Sequence, residues 1–244
     1  TFTSLYGDRL RRINKWENDQ PGLFESDVNP EIRVLVDNYT DSDEPSVGHR
    51  TMIFDIEVEV TDGFPEPTKA DNKITSIAFQ TSHDGKSYVY ILGDRKDEQK
   101  SGALVRFFKS EMDLLQEFLR FWIDLKPTII SGWNSEFFDI PYLYNRAVRI
   151  LGPELANLLS PISQVIYSEY KKKHTIAGVS SLDYLQLYRQ FTFTMQSSYR
   201  LDYIGEVEVG MKKVSYEGTL NDLYDNDLQT FIDYNVRDVK ILVE

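Results

Sequence analysis

Residues 51–60 read TMIFDIEVEV, and this stretch decides the fold. Met52, Phe54, Ile56, Val58 and Val60 occupy every second position, with Asp55, Glu57 and Glu59 between them, which is the period of a half-buried β-strand. Two or three carboxylates therefore share the side of the strand opposite its core face. After a turn at TDGFPEPTKADN (61–72), the runs KITSIAFQT (73–81) and KSYVYILG (86–93) predict two further strands and an antiparallel meander. Ser110 then opens SEMDLLQEFLRFWIDLKP. Its spacing to Asp113 resembles a capping box, Leu114, Leu115, Phe118, Leu119 and Trp122 form a helical apolar stripe, and Pro127 ends the helix. TIISGWN (128–134) is nearly all apolar and predicts a short strand buried on both faces. FDIPYLYNRAVRIL (138–151) follows as a helix, with Asp139 at its start and Pro141 in the first turn, where proline is tolerated. Helices are also expected at SLDYLQLYRQF (181–191), around YRLDYIGEVEV (199–209) and at DLQTFIDYNVRDVKILVE (227–244). The order β-β-β-α-β-α, with late helices covering the sheet, predicts a three-layer α/β domain whose site lies where strand and helix ends converge.

The first 48 residues have no sustained period. Thr3 to Trp16 is read as a short helix, EIRVLVDNY (31–39) as a strand, and the acidic, turn-rich DNYTDSDEPSVG (37–48) as a linker. A domain boundary is placed near Gly48, giving segments 1–48 and 49–244. The start at Thr1 rather than Met suggests a processed chain or an excised fragment.

Composition narrows the chemistry. The 244 residues contain no Cys, which removes disulfide scaffolds, thiol nucleophiles and cysteine metal sites. His49, His83 and His174 are isolated, without the paired spacing of a zinc site. The longest apolar runs fall far short of the roughly 20 residues that cross a bilayer, and the reading is a soluble intracellular protein. A net charge of −12 argues against binding nucleic acid by a basic surface alone. It leaves open an enzyme that meets phosphates through metal ions, because carboxylate ligands count as negative until cations return the charge.

Four acids stand where packing does not require them. Asp55 and Glu57, two apart on a strand, project to one face. Asp139 lies at a strand-to-helix junction, where helix N–H groups could hold it. Asp238 follows Tyr234 by four residues, so phenol and carboxylate share a helical face. If they converge, an all-oxygen donor set suits Mg²⁺ or Mn²⁺. Two such ions roughly 3.5–4 Å apart activate a water and stabilise the leaving oxygen of a phosphodiester, with Tyr234 orienting the water. Taken singly, each element has a plainer reading: a solvated strand face, a helix N-cap, or the surface of an amphipathic helix. Their combination and order carry the inference.

FDIE at 54–57, NSEFFD at 134–139 and YNVRD at 234–238 resemble the three exonuclease motifs of family B DNA polymerases, in order and spacing. DGFPEP (62–67), GWNSEFFDIPYLYNR (132–146), SLDYLQLYRQF (181–191) and SYRLDYI (198–204) resemble the T-even-like tailed-phage branch. The resemblance covers roughly residues 50–244, and residues 1–48 look like the end of that family's N-terminal domain. It implies an RNase H-like α/β fold, a mixed sheet flanked by helices, and a DEDD-type, Tyr-containing 3′–5′ proofreading exonuclease in an infected bacterial cell. Asp55, Glu57, Asp139 and Asp238 would be metal ligands, Tyr234 the water-orienting phenol, and Asn134 and Phe138 contacts to the terminal nucleotide. Phe64 would either stack on the last bases or anchor its own loop. The implied partners are a single-stranded DNA 3′ end, the polymerase palm, fingers and thumb, and, through the parent polymerase, a sliding clamp. A membrane is not among them.

The chain stops six residues after Asp238, which reads as a fragment or as one piece of a split polymerase, unable to polymerise alone. VIYSEYKKKHTIAG (165–178) is shorter than that branch's strand-switching hairpin, and Lys171 to Lys173 is either a phosphate contact or a solvated loop. The rival readings are an RNA exonuclease of the same type and a non-catalytic assembly segment.

Overall fold

The computed structural model describes residues 2–3, 9–10, 30–39, 44, 47–61 and 63–244. The chain divides into two compact units, Thr1–Val47 and Gly48–Glu244.

In the first unit, β1 (Phe2–Thr3) pairs antiparallel with β2 (Arg9–Leu10), and α1 spans Pro30–Tyr39. The helix expected over Thr3 to Trp16 is replaced, at its described residues, by this strand pair; its other residues lie outside the described set. EIRVLVDNY is helical rather than a strand. Ile32, Leu35, Val36 and Tyr39 also satisfy a helical period, and Pro30 presets φ at the first helical position. A run this short fits both periods. Half of the segment read as a linker, residues 40–43, 45 and 46, lies outside the described residues, and its first three residues belong to α1.

The second unit is built on a mixed sheet. β3 (Thr51–Val58), β4 (Ile74–Thr81) and β5 (Ser87–Leu92) form the expected antiparallel meander. β3 buries Met52, Phe54, Ile56 and Val58 and ends two residues before Val60, which is exposed; a bulge between Glu57 and Val58 breaks the register there. Two strands come next that the sequence reading lacks: β6 (Glu98–Lys100) and β7 (Ala103–Phe108). Ser101 and Gly102 join them with positive φ at both positions, the geometry of a two-residue hairpin turn. β7 then pairs in parallel with β5, a non-local contact that no local pattern announces.

α2 (Glu111–Leu125) is capped by Ser110, whose hydroxyl accepts from the Asp113 N–H, and it stops at Lys126 in the left-handed region just before Pro127. β8 (Ile129–Ser131) runs parallel to β3. α3 (Asp139–Leu151), α4 (Pro153–Ala156) and a single 3₁₀ turn lead to a hairpin of β9 (Val165–Ser168) and β10 (Lys173–Ile176). β11 (Ser180–Ser181) adds in parallel to β8, so the helix expected from Ser181 starts instead after Asp183, as α5 (Tyr184–Phe191). α6 (Leu201–Val209), α7 (Leu220–Asn226) and α8 (Leu228–Val243) complete the unit.

The strand order is β11-β8-β3-β4-β5-β7-β6. α2 and α3 pack Leu114, Phe118, Trp122, Ile140 and Tyr142 onto one face, against Met52, Phe54 and Ile56. α7 and α8 cover the other face with Leu223, Phe231, Ile232, Val236 and Val239, against Ala78, Val89 and Val105. The alternation of β3 therefore aims Asp55 and Glu57 at the layer that contains α8.

Candidate functional site

Asp55 and Glu57 leave β3 on its α8 side, half-buried. α8 is fixed against the sheet by Asn235, fully buried, whose Oδ1 accepts from Ser76 Oγ on β4 at 2.6 Å. One turn of helix then places Tyr234 and Asp238 over the β3 carboxylates. Ligand atoms of Asp55, Glu57 and Asp238 all lie within 4.8 Å of one another. Asp238 is fully buried, and its Oδ1 has no hydrogen-bond partner. Three clustered carboxylates with an orphaned buried oxygen fit a hard divalent cation bound through oxygen.

Asp139 is brought to the same cleft but not into that three-residue cluster. It is the first helical residue of α3 and is not its N-cap; Phe138 holds that position without a side-chain bond. The Asp139 carboxylate instead reaches across to β3 and accepts from the Ile56 N–H at 3.1 Å. The plain-cap reading of Asp139 thus gives way to a link between the two motif-bearing elements.

Burial is the main force raising the acids' pKa values, and mutual repulsion adds to it. Asp55 is raised by burial and then by Asp139, Glu57 and Asp238. Glu57 is raised to about 8, by burial and by Asp238. Asp139 rises to about 7 through burial, opposed by the Ile56 N–H. Asp238 is raised by burial against the pull of Lys213. Tyr234 is raised too, by burial and then by Glu57, so its phenol stays protonated.

Lys213 is the residue the sequence reading missed. Its ammonium bonds Asp238 Oδ2 and lies 3.1 Å from Tyr234 Oη. Burial disfavours its charge, but Asp238, Tyr234 and Asp55 outweigh that and hold it protonated. It lies in a segment, MKKVSYEG, without secondary structure or period, which is why no local signal marked it.

A cleft of about 540 Å³ opens beside these groups, lined by Asp55, Glu57, Asn134, Phe138, Asp139, Lys213 and Tyr234, with Phe64 at its edge. Phe64 is 81% exposed, its ring 5.4 Å from that of Phe138. Its loop is anchored elsewhere, from α3. Tyr142 Oη both donates to the Asn72 carbonyl and accepts from the Asn72 N–H, at 2.9 and 3.1 Å. Asn145 donates to the Pro67 carbonyl, and Arg146 to those of Ala70 and Asp71. Buried Arg146 also grips Glu111 with two bonds of 2.8 and 2.7 Å. The loop thus has polar anchors from α3 besides the contact of Phe64 with Phe138. In the β9–β10 hairpin, Lys172 pairs with Glu169 and Lys173 with Glu136, while Lys171 is exposed.

This fold corresponds to a known class. A sequence model of the DNA polymerase family B exonuclease domain matches residues 18–204, and the chain belongs to that family. Its α/β architecture, a mixed sheet between helical layers, is that family's RNase H-like fold. The match contains Asp55, Glu57 and Asp139 and ends before Tyr234 and Asp238. Among curated proteins the chain is similar to the DNA-directed DNA polymerases of Escherichia phage RB69, 38% identical, and Enterobacteria phage T4, 34% identical. These alignments cover 78% and 75% of this chain and 24% of each relative. DNA polymerase 1 of Sulfurisphaera ohwakuensis is 28% identical over 98% of the chain and 26% of its own length. The chain spans about a quarter of the length of these relatives. Among the described residues, no helix is long and apolar enough to cross a membrane.

Proposed function

We propose that residues 49–244 are the 3′–5′ proofreading exonuclease portion of a phage replicative DNA polymerase, acting on single-stranded or frayed DNA in the infected bacterial cell. The observation that carries this is the convergence of Asp55, Glu57 and Asp238 within 4.8 Å, with Asp238 Oδ1 unpartnered, inside a chain of the exonuclease-domain family. Residues 1–48 are read as the end of the parent's N-terminal domain. The polymerase palm, fingers and thumb, and a sliding clamp, are the parent's proposed partners.

Asp55, Glu57 and Asp238 would hold divalent cations, Mg²⁺ or Mn²⁺, with Asp139 completing the set around the cleft. Bound there, two ions would supply Lewis acidity to the attacking water and charge stabilisation to the leaving oxygen. The remaining work falls to side chains. Tyr234, kept protonated by its surroundings, orients the water from its phenolic oxygen. Lys213 fixes that phenol and offsets the charge of Asp238. Water attacks the terminal phosphorus, the P–O3′ bond breaks, and the departing 3′-oxygen takes a proton, so a deoxynucleoside monophosphate leaves and the shortened strand ends in a 3′-hydroxyl. Asn134 and Phe138 place the terminal nucleotide, and exposed Phe64 stacks on or wedges between the last bases. Such contacts are indifferent to base identity. Frayed ends are favoured because unpaired bases cost less to enter the site.

The test is nucleotide release from a 5′-labelled single-stranded DNA, in Mg²⁺ or Mn²⁺ and in chelator, beside a matched RNA. A metal-dependent 3′ ladder on DNA supports the reading. A ladder on RNA alone overturns the substrate, and none from folded protein points to an assembly segment.

A further inference from the structure

The loop between β8 and α3, residues 132–138, carries Asn134 and Phe138 and delivers Asp139; inside it the Asn134 carbonyl accepts from the Phe137 and Phe138 N–H groups at 3.1 and 3.2 Å, which turns the chain but leaves the N–H groups of Asn134 and Glu136 to partners outside the loop. Asn134 sits in the left-handed region with φ of 66°. At Gly132 a β-carbon would fall 2.7 Å from the Phe54 carbonyl and 2.8 Å from Ser135 Cβ, so the chain passes too close to β3 for any side chain. Distant groups also hold this conformation: the Gly132 carbonyl accepts from the Tyr184 N–H at 2.9 Å, the Trp133 indole donates to the Tyr199 carbonyl at 3.1 Å, and the side chain that takes the N–H groups of Asn134 and Glu136 comes from about fifty residues further along. Asp183, 2% exposed, caps α5 by accepting from the N–H groups of Leu185 at 3.0 Å and Gln186 at 3.4 Å. The same carboxylate accepts from Asn134 N–H at 3.2 Å through Oδ1 and from Glu136 N–H at 3.0 Å through Oδ2. A helix cap needs one oxygen; here Oδ1 serves both the cap and Asn134, and Oδ2 serves Glu136 of the loop.

We infer that Asp183 is a positioning residue for the 3′-terminal nucleotide: it ties the start of α5 to the loop that presents Asn134 and Phe138, and so fixes the substrate side of the cleft. The inference rests on the exonuclease reading above. Hydrogen bonds from backbone N–H to a buried carboxylate are the strong kind, and they keep a left-handed residue in place without requiring any contact between Asp183 and DNA.

Asp183→Ser in the full 244-residue chain separates the two duties. Serine caps helices well, but its hydroxyl is too short to serve the loop as well. Backbone amide exchange should then quicken by about tenfold or more at Asn134 and Glu136 while Leu185 and Gln186 stay protected. On single-stranded DNA, KM should rise about tenfold with kcat within about twofold, the mark of lost substrate placement rather than lost chemistry. Mn²⁺ affinity should not change. Asp183→Asn is the near-isosteric second variant. It keeps the Oδ1 bonds, sets an amide donor against the Glu136 N–H, and should give a smaller KM rise in the same direction. Unchanged KM in folded Asp183→Ser, or unchanged exchange at Asn134 and Glu136, would reduce Asp183 to a helix cap and overturn the proposal. No nucleotide release from the unsubstituted chain would instead overturn the exonuclease reading, while the exchange measurement, needing no turnover, still decides whether Asp183 holds the loop.

Discussion

Glu111 and Asp238 are both buried carboxylates, on helices packed against opposite faces of one sheet, and the fold treats them in opposite ways. Glu111 has both oxygens occupied: Oε1 accepts from the Ile74 N–H at 2.8 Å and from Arg146, and Oε2 from Arg146 again. Asp238 shares one oxygen with Lys213, leaves the other without a partner, and faces Asp55 and Glu57. The first arrangement is complete and holds α2, α3 and the Phe64 loop together. The second is incomplete, and its unpartnered buried oxygen costs stability. Buried acids that lack partners thus mark the site more sharply than buried acids as such.

The largest expected effect breaks the second arrangement. Asp55→Ala with Glu57→Ala should bring nucleotide release down to the chelator background, while circular dichroism shows an intact fold, because both side chains face the polar cleft. Loss of folding in that variant would mean that Asp55 and Glu57 support the core and not an open site. Next is the first arrangement: Arg146→Met strands Glu111 and should cost about 3–5 kcal/mol in urea unfolding, since one member of a buried pair is left uncompensated. A cost below about 1 kcal/mol, that of an exposed pair, would mean the clamp is not structural. If the phenol positions the water and does not ligate, as proposed, Tyr234→Phe should lower the release rate by up to about 10²-fold with Mn²⁺ binding preserved. An unchanged rate removes it from the chemistry.

The smallest effect is on pH. Glu57, at about 8, and Asp139, at about 7, titrate above their ordinary values of 4.5 and 3.8, so the folded state holds protons the unfolded chain has released. Their protonation favours the fold below the ordinary values, and that contribution is lost as pH climbs through 7 and 8. In chelator, melting temperature should therefore decline between about pH 5 and 8, and Mn²⁺ should flatten the slope. A chelated protein whose melting temperature ignores pH over that window would show that the carboxylates are not crowded.

Much of this was legible in the sequence where the signal is local. The alternation of TMIFDIEVEV located β3 and both faces of it, and Ser110 marked the start of α2, whose last residue, Leu125, lies two before Pro127. Where two periods fit one short run, as at EIRVLVDNY, local reading chose the wrong one. β7 went unread because its reason for existing is its parallel neighbour β5, across a hairpin, and β11 because its two residues are defined wholly by β8. Lys213 and Asp183 were missed for a similar reason. Lys213 sits in no pattern, and Asp183, at the head of the expected helix SLDYLQLYRQF, shows locally only as a cap; they act on groups 25 and 49 residues away, respectively.

By itself the sequence determined which acids exist, in what order, and on what kind of element, because period and capping are written in neighbouring residues. Tertiary structure alone decided which of them share a cation-sized space, that Asp139 reaches to β3 rather than capping its own helix, and that Lys213 stands among them. Those outcomes follow from how helices seat on the two faces of a sheet, and burial and Coulomb repulsion act through distances in space, which no spacing along the chain records.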